Sequence, residues 1–280
     1  MASLTPQQFA RAAALEEHQV RLARLSRMTS GQLCALLGGD PTEAVAWVRS
    51  AAESGMPAAQ VRLGRMLLEG RGLPQDPRTA FLWFRRAAEK RDADALNMVG
   101  RCHELGWGVA MDLSLAAVYY RASAEAGFDW GQYNLANLLF DGRGVGRDLN
   151  AAFIWFLRAS NQGHARAMNL LARCLEEGWG CRRSLSEADY WFRRSAEVGY
   201  FRGQYNHGIE LLRRGECAVA AVWLSKAAAA GDIGMRRTIK RLLAELNNSA
   251  LNELILRASM HEGVSVTDAG ACRPASDRPN

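Results

Sequence analysis

An internal repeat with a period of 36 residues constrains the fold of this chain more than any other feature of its sequence. Four full units run over residues 56–91, 92–127, 128–163 and 164–199, and a fifth, 200–231, is shortened to 32 residues. Each full unit carries a Gly-x-Gly pattern and, further along, one aromatic residue at a fixed position. Since so short a unit cannot bury its own apolar face, successive units must stack on one another.

Each unit is predicted to form two helices. In the first, apolar residues recur four positions apart, as at Leu171 and Leu175, and the helix ends at the Gly-x-Gly, where glycine permits a positive φ. The second helix begins after a residue whose side chain can accept bonds from free N–H groups: Asp76, Asp112, Asp148 or Ser184. The second helix also carries the aromatic residue, so Trp155 is expected to be buried between hairpins.

The unit ALNMVGRCHELGWGVAMDLSLAAVYYRASAEAG resembles the Sel1-like repeat, whose motif is roughly A-x-A-x-x-x-L-G, then G-x-G-V, then D-x-x-x-A-x-x-W-x-x-x-A-A-x-x-G. The resemblance covers about residues 43–245. It implies an all-α fold, a right-handed α-solenoid of helix-turn-helix units related to tetratricopeptide repeats. It further implies a scaffold or adaptor that binds proteins, and not an enzyme. The chain departs from the motif at Arg91, which replaces a terminal glycine, and at Ser184, which replaces an aspartate.

The segments outside the full units are expected to close the array. An amphipathic capping helix is predicted within residues 1–29, with four apolar side chains available to cover the first hairpin: Phe9, Leu15, Leu22 and Leu25. The repeat solenoid is predicted to span 30–247, with a partial unit at 30–55 and a C-terminal cap at 232–247. We expect residues 248–280 to form a C-terminal helix and a disordered tail.

Charge and cysteine usage limit the classes of partner and the cellular compartment that we expect for this chain. The chain has 35 basic and 29 acidic residues, a net charge of +6, and the two signs are interleaved, which disfavours a nucleic-acid partner. No run of about 18 apolar residues occurs, so neither a transmembrane helix nor a membrane partner is expected. The first 25 residues lack the apolar run of a signal peptide, and the six cysteines show no pairing pattern. These features favour a cytoplasmic protein with reduced thiols.

Sequence patterns 72 residues apart point to a subtype. ALNMVGRCHELGWG is similar to AMNLLARCLEEGWG, and WGQYNLANLL is similar to RGQYNHGIELL. This alternation resembles bacterial Sel1-repeat proteins that are sometimes encoded near siderophore uptake and iron-dependent dioxygenase genes. The resemblance implies an alternative function, as an accessory protein of iron or siderophore-related metabolism. A small-substrate enzyme built on the repeat scaffold is the other alternative.

The residues themselves show no catalytic motif. No G-x-S-x-G, Walker or HExxH pattern is present, and the five histidines occupy different repeat positions. The Gly-x-Gly segments lack the preceding strand and the following Lys-Ser or Lys-Thr of a phosphate loop. We therefore expect no catalytic residue, no metal and no cofactor.

A partner is expected on the concave surface, which the first helices line in this architecture. Spacing opposite the packing face places twelve residues in an exposed stripe: Arg62, Arg65, Asn97, Arg101, Trp130, Tyr133, Asn134, Asn137, Asn169, Arg173, Tyr205 and Asn206. Four of them share one repeat position and form a ladder of donors: Arg65, Arg101, Asn137 and Arg173. Such a ladder suits an extended partner segment that is acidic or carries a free carboxylate.

Two other interpretations of this stripe stay open. Its Arg and Asn residues can be ordinary solvated side chains, with Asn134 and Asn206 making hydrogen bonds between helices. Alternatively, the Gly-x-Gly loops carry the binding, through Arg71, Trp107, Arg143 and Trp179. In each case we expect the protein to act as a monomer.

Overall fold

The computed structural model describes residues 5–25, 28, 32 and 38–246, and every regular element in these residues is helical. The helices are α1 (Pro6–Leu25), α2 (Pro41–Glu53), α3 (Pro57–Glu69), α4 (Pro77–Glu89), α5 (Ala93–Leu105), α6 (Leu113–Glu125), α7 (Asp129–Asp141), α8 (Leu149–Asn161), α9 (Ala165–Glu177), α10 (Leu185–Glu197), α11 (Phe201–Arg213), α12 (Cys217–Ala230) and α13 (Ile233–Leu246). The predicted all-α repeat fold is confirmed. Within the described ranges, no helix combines the length and the hydropathy that a membrane span requires.

The chain divides into two compact units, which are described separately. The first unit comprises residues 1–131 and 143–146, and the second comprises 132–142 and 147–280. Inside each unit, the two helices of a repeat pack together, and the second helix packs on the first helix of the next repeat.

The predicted helix boundaries follow from local chemistry. First helices end at glycines with positive φ, 70° at Gly106 and 78° at Gly178, where a side chain would strain the backbone. Second helices begin at the predicted caps: Asp112 Oδ1 accepts the Leu115 N–H at 2.9 Å, and Asp148 Oδ1 accepts the Ala151 N–H at 2.9 Å. The capping prediction is therefore confirmed.

The aromatic residue that fills each core differs from the prediction. Trp155 is only half-buried, and the Arg158 guanidinium lies 4.6 Å from its ring centroid. The following residue is the buried one in each full repeat: Phe84, Tyr120, Phe156 and Phe192. In the first unit, small residues of the preceding helix make room for these rings, since a Cβ added to Gly64 would lie 2.5 Å from Phe84 Cε1. The expected burial of Trp155 is wrong because its neighbour, 100° further around the helix, faces the hairpin partner.

The N-terminal helix contacts the first hairpin through polar side chains. His18 Nδ1 lies 3.5 Å from Glu53 Oε2, and the Arg24 guanidinium lies 5.4 Å from the Trp47 ring centroid. Leu15 is 58% exposed, so its expected place against the first hairpin is wrong.

Part of the predicted domain organisation falls on residues that the structure does not describe. The side chains of Phe9 and Leu25 and most of the first helix of the partial unit lie outside the described residues, as does all of 248–280. The division of the chain into 1–29, 30–247 and 248–280 stays a prediction.

Candidate functional site

In the second unit, first helices of successive repeats line a cavity of about 340 Å³. On α9, Arg166, Asn169 and Arg173 recur at three- and four-residue spacing, which places them on one helix face. On α11, Arg202 and Tyr205 follow the same rule. The described residues that line it are Tyr133, Asn137, Arg166, Asn169, Leu170, Arg173, Tyr200, Arg202, Tyr205, Asn206 and Met235.

Among the described residues, the charged side chains that line this cavity are three arginines, with neither an aspartate nor a glutamate. Burial raises the pKa of Tyr200, and this effect exceeds the opposing influence of Arg202, so the phenol stays protonated near neutral pH and can donate a hydrogen bond. The cavity therefore offers cationic and neutral donors that suit an anionic group.

Several of these side chains are held in place by other contacts. Asn206 Nδ2 donates to Asn169 Oδ1 at 2.8 Å, and Asn169 is 4% exposed. The Arg173 guanidinium lies 5.3 Å from the Trp179 ring centroid. The bond from Asn206 supports the open interpretation that this residue links two helices.

A first-unit cavity of about 400 Å³ differs in its charge. Three arginines and three acidic residues line it: Arg62, Arg65, Arg71, Glu69, Asp92 and Asp94. Arg65 Nη2 donates to both carboxylate oxygens of Asp94, at 2.6 and 2.8 Å. Burial raises the pKa of Asp94, and Arg65 opposes that rise. The positive charge of this cavity is thus compensated within the unit.

The twelve predicted stripe residues do not share one environment. Six line the second-unit cavity: Tyr133, Asn137, Asn169, Arg173, Tyr205 and Asn206. Arg62 and Arg65 line the first-unit cavity. Arg101 is half-buried with its guanidinium 4.9 Å from the Trp107 ring centroid, Asn134 is half-buried, and Trp130 is 41% exposed.

Two asparagines contradict the expected exposure of the stripe. Asn97 and Asn169 are each 4% exposed, and both occupy the sixth position of their repeats. In these two repeats, as in the first, where Val61 at the equivalent place is 3% exposed, the position turns toward a packed surface. The prediction that Asn97 and Asn169 lie exposed is wrong, although Asn169 still reaches the cavity.

Sequence reasoning missed Arg166, Tyr200 and Arg202 as cavity residues. Arg166 and Arg202 share one repeat position and lie three residues before Asn169 and Tyr205. The i, i+3 spacing was therefore a signal that could have added them to the stripe.

Two cysteines and two histidines of the described first helices are buried. Burial raises the pKa of Cys102 and Cys174 to about 12 each, so these thiols stay protonated as small core residues. In the part of the chain that the structure describes, no three His, Cys, Asp or Glu residues gather as metal ligands would. His103 and His207 are each 6% exposed, in agreement with the packing role expected for them.

Stacked helical hairpins of about 36 residues define a helical repeat protein. The family model of the Sel1 repeat matches this chain six times, at residues 22–56, 57–92, 93–128, 131–164, 165–200 and 201–232. The chain therefore belongs to the Sel1 repeat family.

Solved structures agree with this assignment. A Sel1 repeat protein from Oxalobacter formigenes has a TM-score of 0.71 and 25% identity, over 81% of this chain and 95% of that one. The protein c5321, a protective antigen present in uropathogenic Escherichia coli strains and displaying an SLR fold, has a TM-score of 0.63 and 28% identity. That match covers 81% of this chain and 51% of the antigen, so this chain spans about half of the antigen's length. No curated protein matches the sequence.

Proposed function

We propose that this protein is an interaction scaffold that captures an extended, anionic segment of a partner protein on the first-helix surface of its second unit. Sel1 repeat proteins are generally scaffolds for protein–protein interaction. The observation that carries the proposal is the second-unit cavity, whose lining, as far as the structure describes it, has three arginines and no carboxylate. An anionic partner group that enters the cavity meets the guanidinium groups of Arg173 and Arg202.

The repeat supports an extended partner. Tyr133, Asn169 and Tyr205 occupy one position of three successive repeats, and Asn137 and Arg173 share another. Equivalent residues of stacked hairpins recur at regular intervals, so a chain that crosses the helices meets a similar group at each step.

Side-chain order in the cavity favours affinity. Arg173 rests on Trp179, and Asn206 is bonded to Asn169. Because these side chains already have defined positions, less conformational entropy is lost when a partner binds.

The proposal assigns binding to fewer residues than the ladder of donors that the sequence predicted. In the first unit, Arg65 is paired with Asp94. An anionic partner group binding there would compete with the Asp94 carboxylate for Arg65. We therefore assign the main anchor to Arg173 and Arg202 of the second unit.

Selection from a displayed library of random peptides tests this function. Peptides enriched on the intact protein should be acidic, and the double variant Arg173→Glu/Arg202→Glu should lose them, since each charge-assisted contact contributes about 1.5–3 kcal/mol. Arg194→Glu is the matched control because Arg194 is exposed in the same unit and does not line the cavity. Circular dichroism confirms that each variant is folded. If the enriched peptides bind the folded double variant undiminished, the cavity is not the site.

A further inference from the structure

Exposed hydrophobic residues recur at one repeat position on the second helices. Each stands directly before the tryptophan or tyrosine that recurs in the repeat: Leu82, Val118, Ile154 and Tyr190. Single exposed hydrophobic residues are common on protein surfaces, but recurrence in four successive repeats distinguishes this position from scattered exposure. In the first unit, Leu82 of α4 is 46% exposed and Val118 of α6 is 61% exposed.

Aromatic rings connect α4 and α6 beside these two residues. Phe81 precedes Leu82, and Tyr119 follows Val118; both rings are half-buried. The ring of His103, on α5, lies between them, with its centroid 5.5 Å from that of Phe81 and 5.7 Å from that of Tyr119. The apolar groups of the two helices are therefore linked through one aromatic cluster.

An exposed arginine follows each of these hydrophobic residues by three positions. Arg85 follows Leu82 and Arg121 follows Val118, a spacing that places the two members of each pair on the same helix face. We call these four residues the second-helix surface of the first unit. A partner group that contacts an apolar side chain here comes within reach of a guanidinium, which can bind a carboxylate through two hydrogen bonds.

Charge on α4 disfavours a second copy of this chain as the occupant of the surface. Arg86 is exposed next to Arg85, and Arg78 is exposed at the start of the same helix. Two copies that met at Leu82 would bring arginines together in either the parallel or the antiparallel orientation of their helices. Because like charges repel, a partner with carboxylates fits the surface better.

The C-terminal ends of α4 and α6 disfavour an anionic membrane. Glu89 and Glu125 are exposed, four residues after Arg85 and Arg121. A lipid surface that approached the arginines would also meet these carboxylates, whereas a short protein segment can end before it reaches them.

We propose that the second-helix surface of the first unit binds a segment of a second partner protein, in which large apolar residues lie close to aspartates or glutamates. This proposal goes beyond the proposed function, which concerns a cavity of the second unit. With that cavity, the surface gives the scaffold two docking sites, so that one chain joins two proteins.

Selection from a displayed library of random peptides tests the proposal. The target is the intact chain carrying Arg173→Glu/Arg202→Glu, so that binding in the second-unit cavity is removed. We expect the enriched peptides to combine large apolar residues with aspartate or glutamate. Their binding to further variants of this target is then measured by fluorescence polarisation, and circular dichroism confirms that each variant is folded.

The two kinds of contact predict different losses. Leu82→Ser/Val118→Ser should weaken binding at least about 10-fold, and Arg121→Gln should weaken it about fivefold. The effect of Arg121→Gln should shrink as the salt concentration rises, because salt screens exposed charges. Met111→Ser is the matched control and should leave binding unchanged, because Met111 is an exposed hydrophobic residue of the same unit that lies in the loop before α6.

Three other results overturn the proposal. If the selection enriches no peptide, or if the peptides bind folded Leu82→Ser/Val118→Ser undiminished, no partner segment docks on this surface. If sedimentation equilibrium shows a dimer that the same double variant dissociates, the surface joins two copies of the chain. If the unchanged protein binds vesicles of phosphatidylserine and phosphatidylcholine and Leu82→Ser/Val118→Ser does not, the occupant is a lipid membrane. Each result leaves the proposed function standing, since its test scores peptides that are lost when the cavity arginines are changed.

Discussion

Arg91 holds a backbone conformation that glycine holds in the other repeats. Its φ is 58°, the sole positive value at a non-glycine residue within the described ranges, while the equivalent Gly127, Gly163 and Gly199 have φ of 89–93°. A side chain in the left-handed region costs about 1–2 kcal/mol. The missing glycine of this repeat is therefore a local weakness that the sequence alone reveals.

Arg91→Gly should stabilise the protein by about 0.5–1 kcal/mol, after the larger unfolded-state entropy of glycine is subtracted. The reciprocal change, Gly163→Ala, should destabilise it by about 1 kcal/mol. No atom lies within 4 Å of a Cβ added to Gly163, so this cost is conformational and not steric. Urea denaturation of both variants measures the two effects. If Arg91→Gly is less stable than the unchanged protein, the arginine side chain makes a contact that stabilises the fold by more than its positive φ costs.

Neighbouring aromatic residues of α8 differ in their contribution to the core. Phe156 is 1% exposed, whereas Trp155 is half-buried. Phe156→Ala should destabilise the protein by about 3–5 kcal/mol, and Trp155→Ala should cost less than half as much. Thermal denaturation followed by circular dichroism gives the comparison. Equal losses would mean that the tryptophan contact with Arg158 matters more than its exposure suggests.

At the scale of the elements, the Gly-x-Gly loop joins the two helices of a repeat and also touches the preceding repeat. Gly178 ends α9 with a φ of 78°, and Gly180 has a φ of 71°. A Cβ added to Gly180 would overlap the carbonyl oxygen of Leu149, at the start of α8, whereas one added to Gly178 would have no neighbour closer than 3.6 Å. The first glycine thus serves the turn, and the second permits close packing between repeats.

This difference separates two alanine substitutions. Gly178→Ala should cost about 1–2 kcal/mol, because only the positive φ is penalised. Gly180→Ala should cost clearly more, since it adds a steric overlap with Leu149 to the same conformational penalty. Chemical denaturation of the two single variants tests the prediction. Similar losses would show that the loop shifts to accept the added methyl group.

At the scale of the whole molecule, a polar pair between the fourth and fifth repeats occupies positions that are hydrophobic in earlier repeats. His207 stands at the repeat position of Leu63, Leu135 and Leu171, each at most 1% exposed. His207 Nδ1 lies 3.8 Å from Asp189 Oδ1, too far for a hydrogen bond. Burial lowers the pKa of His207, an effect that exceeds the opposing influence of Asp189.

The stability of the chain should therefore depend on pH. Because the folded pKa of His207 lies below its unfolded value near 6.5, the unfolded state binds more protons, and stability falls as the pH drops below about 6.5. His207→Leu should reduce the difference between the urea midpoints at pH 7.5 and pH 5.5. His18→Leu is the control, because His18 is only partly buried. An unchanged pH dependence in His207→Leu would assign the effect to other groups.

The sequence by itself determined the features that depend on residues close together in the chain. The repeat period, the aspartate caps and the glycine stops follow from contacts within four residues, for which propensity and spacing suffice. Arg91 and the short turn of the fifth repeat were recognisable in the same way, as departures from a repeated pattern.

Only the tertiary structure decided which side chains meet across repeats. The pairing of Arg65 with Asp94 joins residues 29 positions apart, and Arg166 and Arg202 line one cavity although 36 positions separate them. Whether the residue at the tryptophan position or its neighbour fills the core depended on the rotation of one helix against the next. Such rotation is set by packing between helices, which no local pattern encodes.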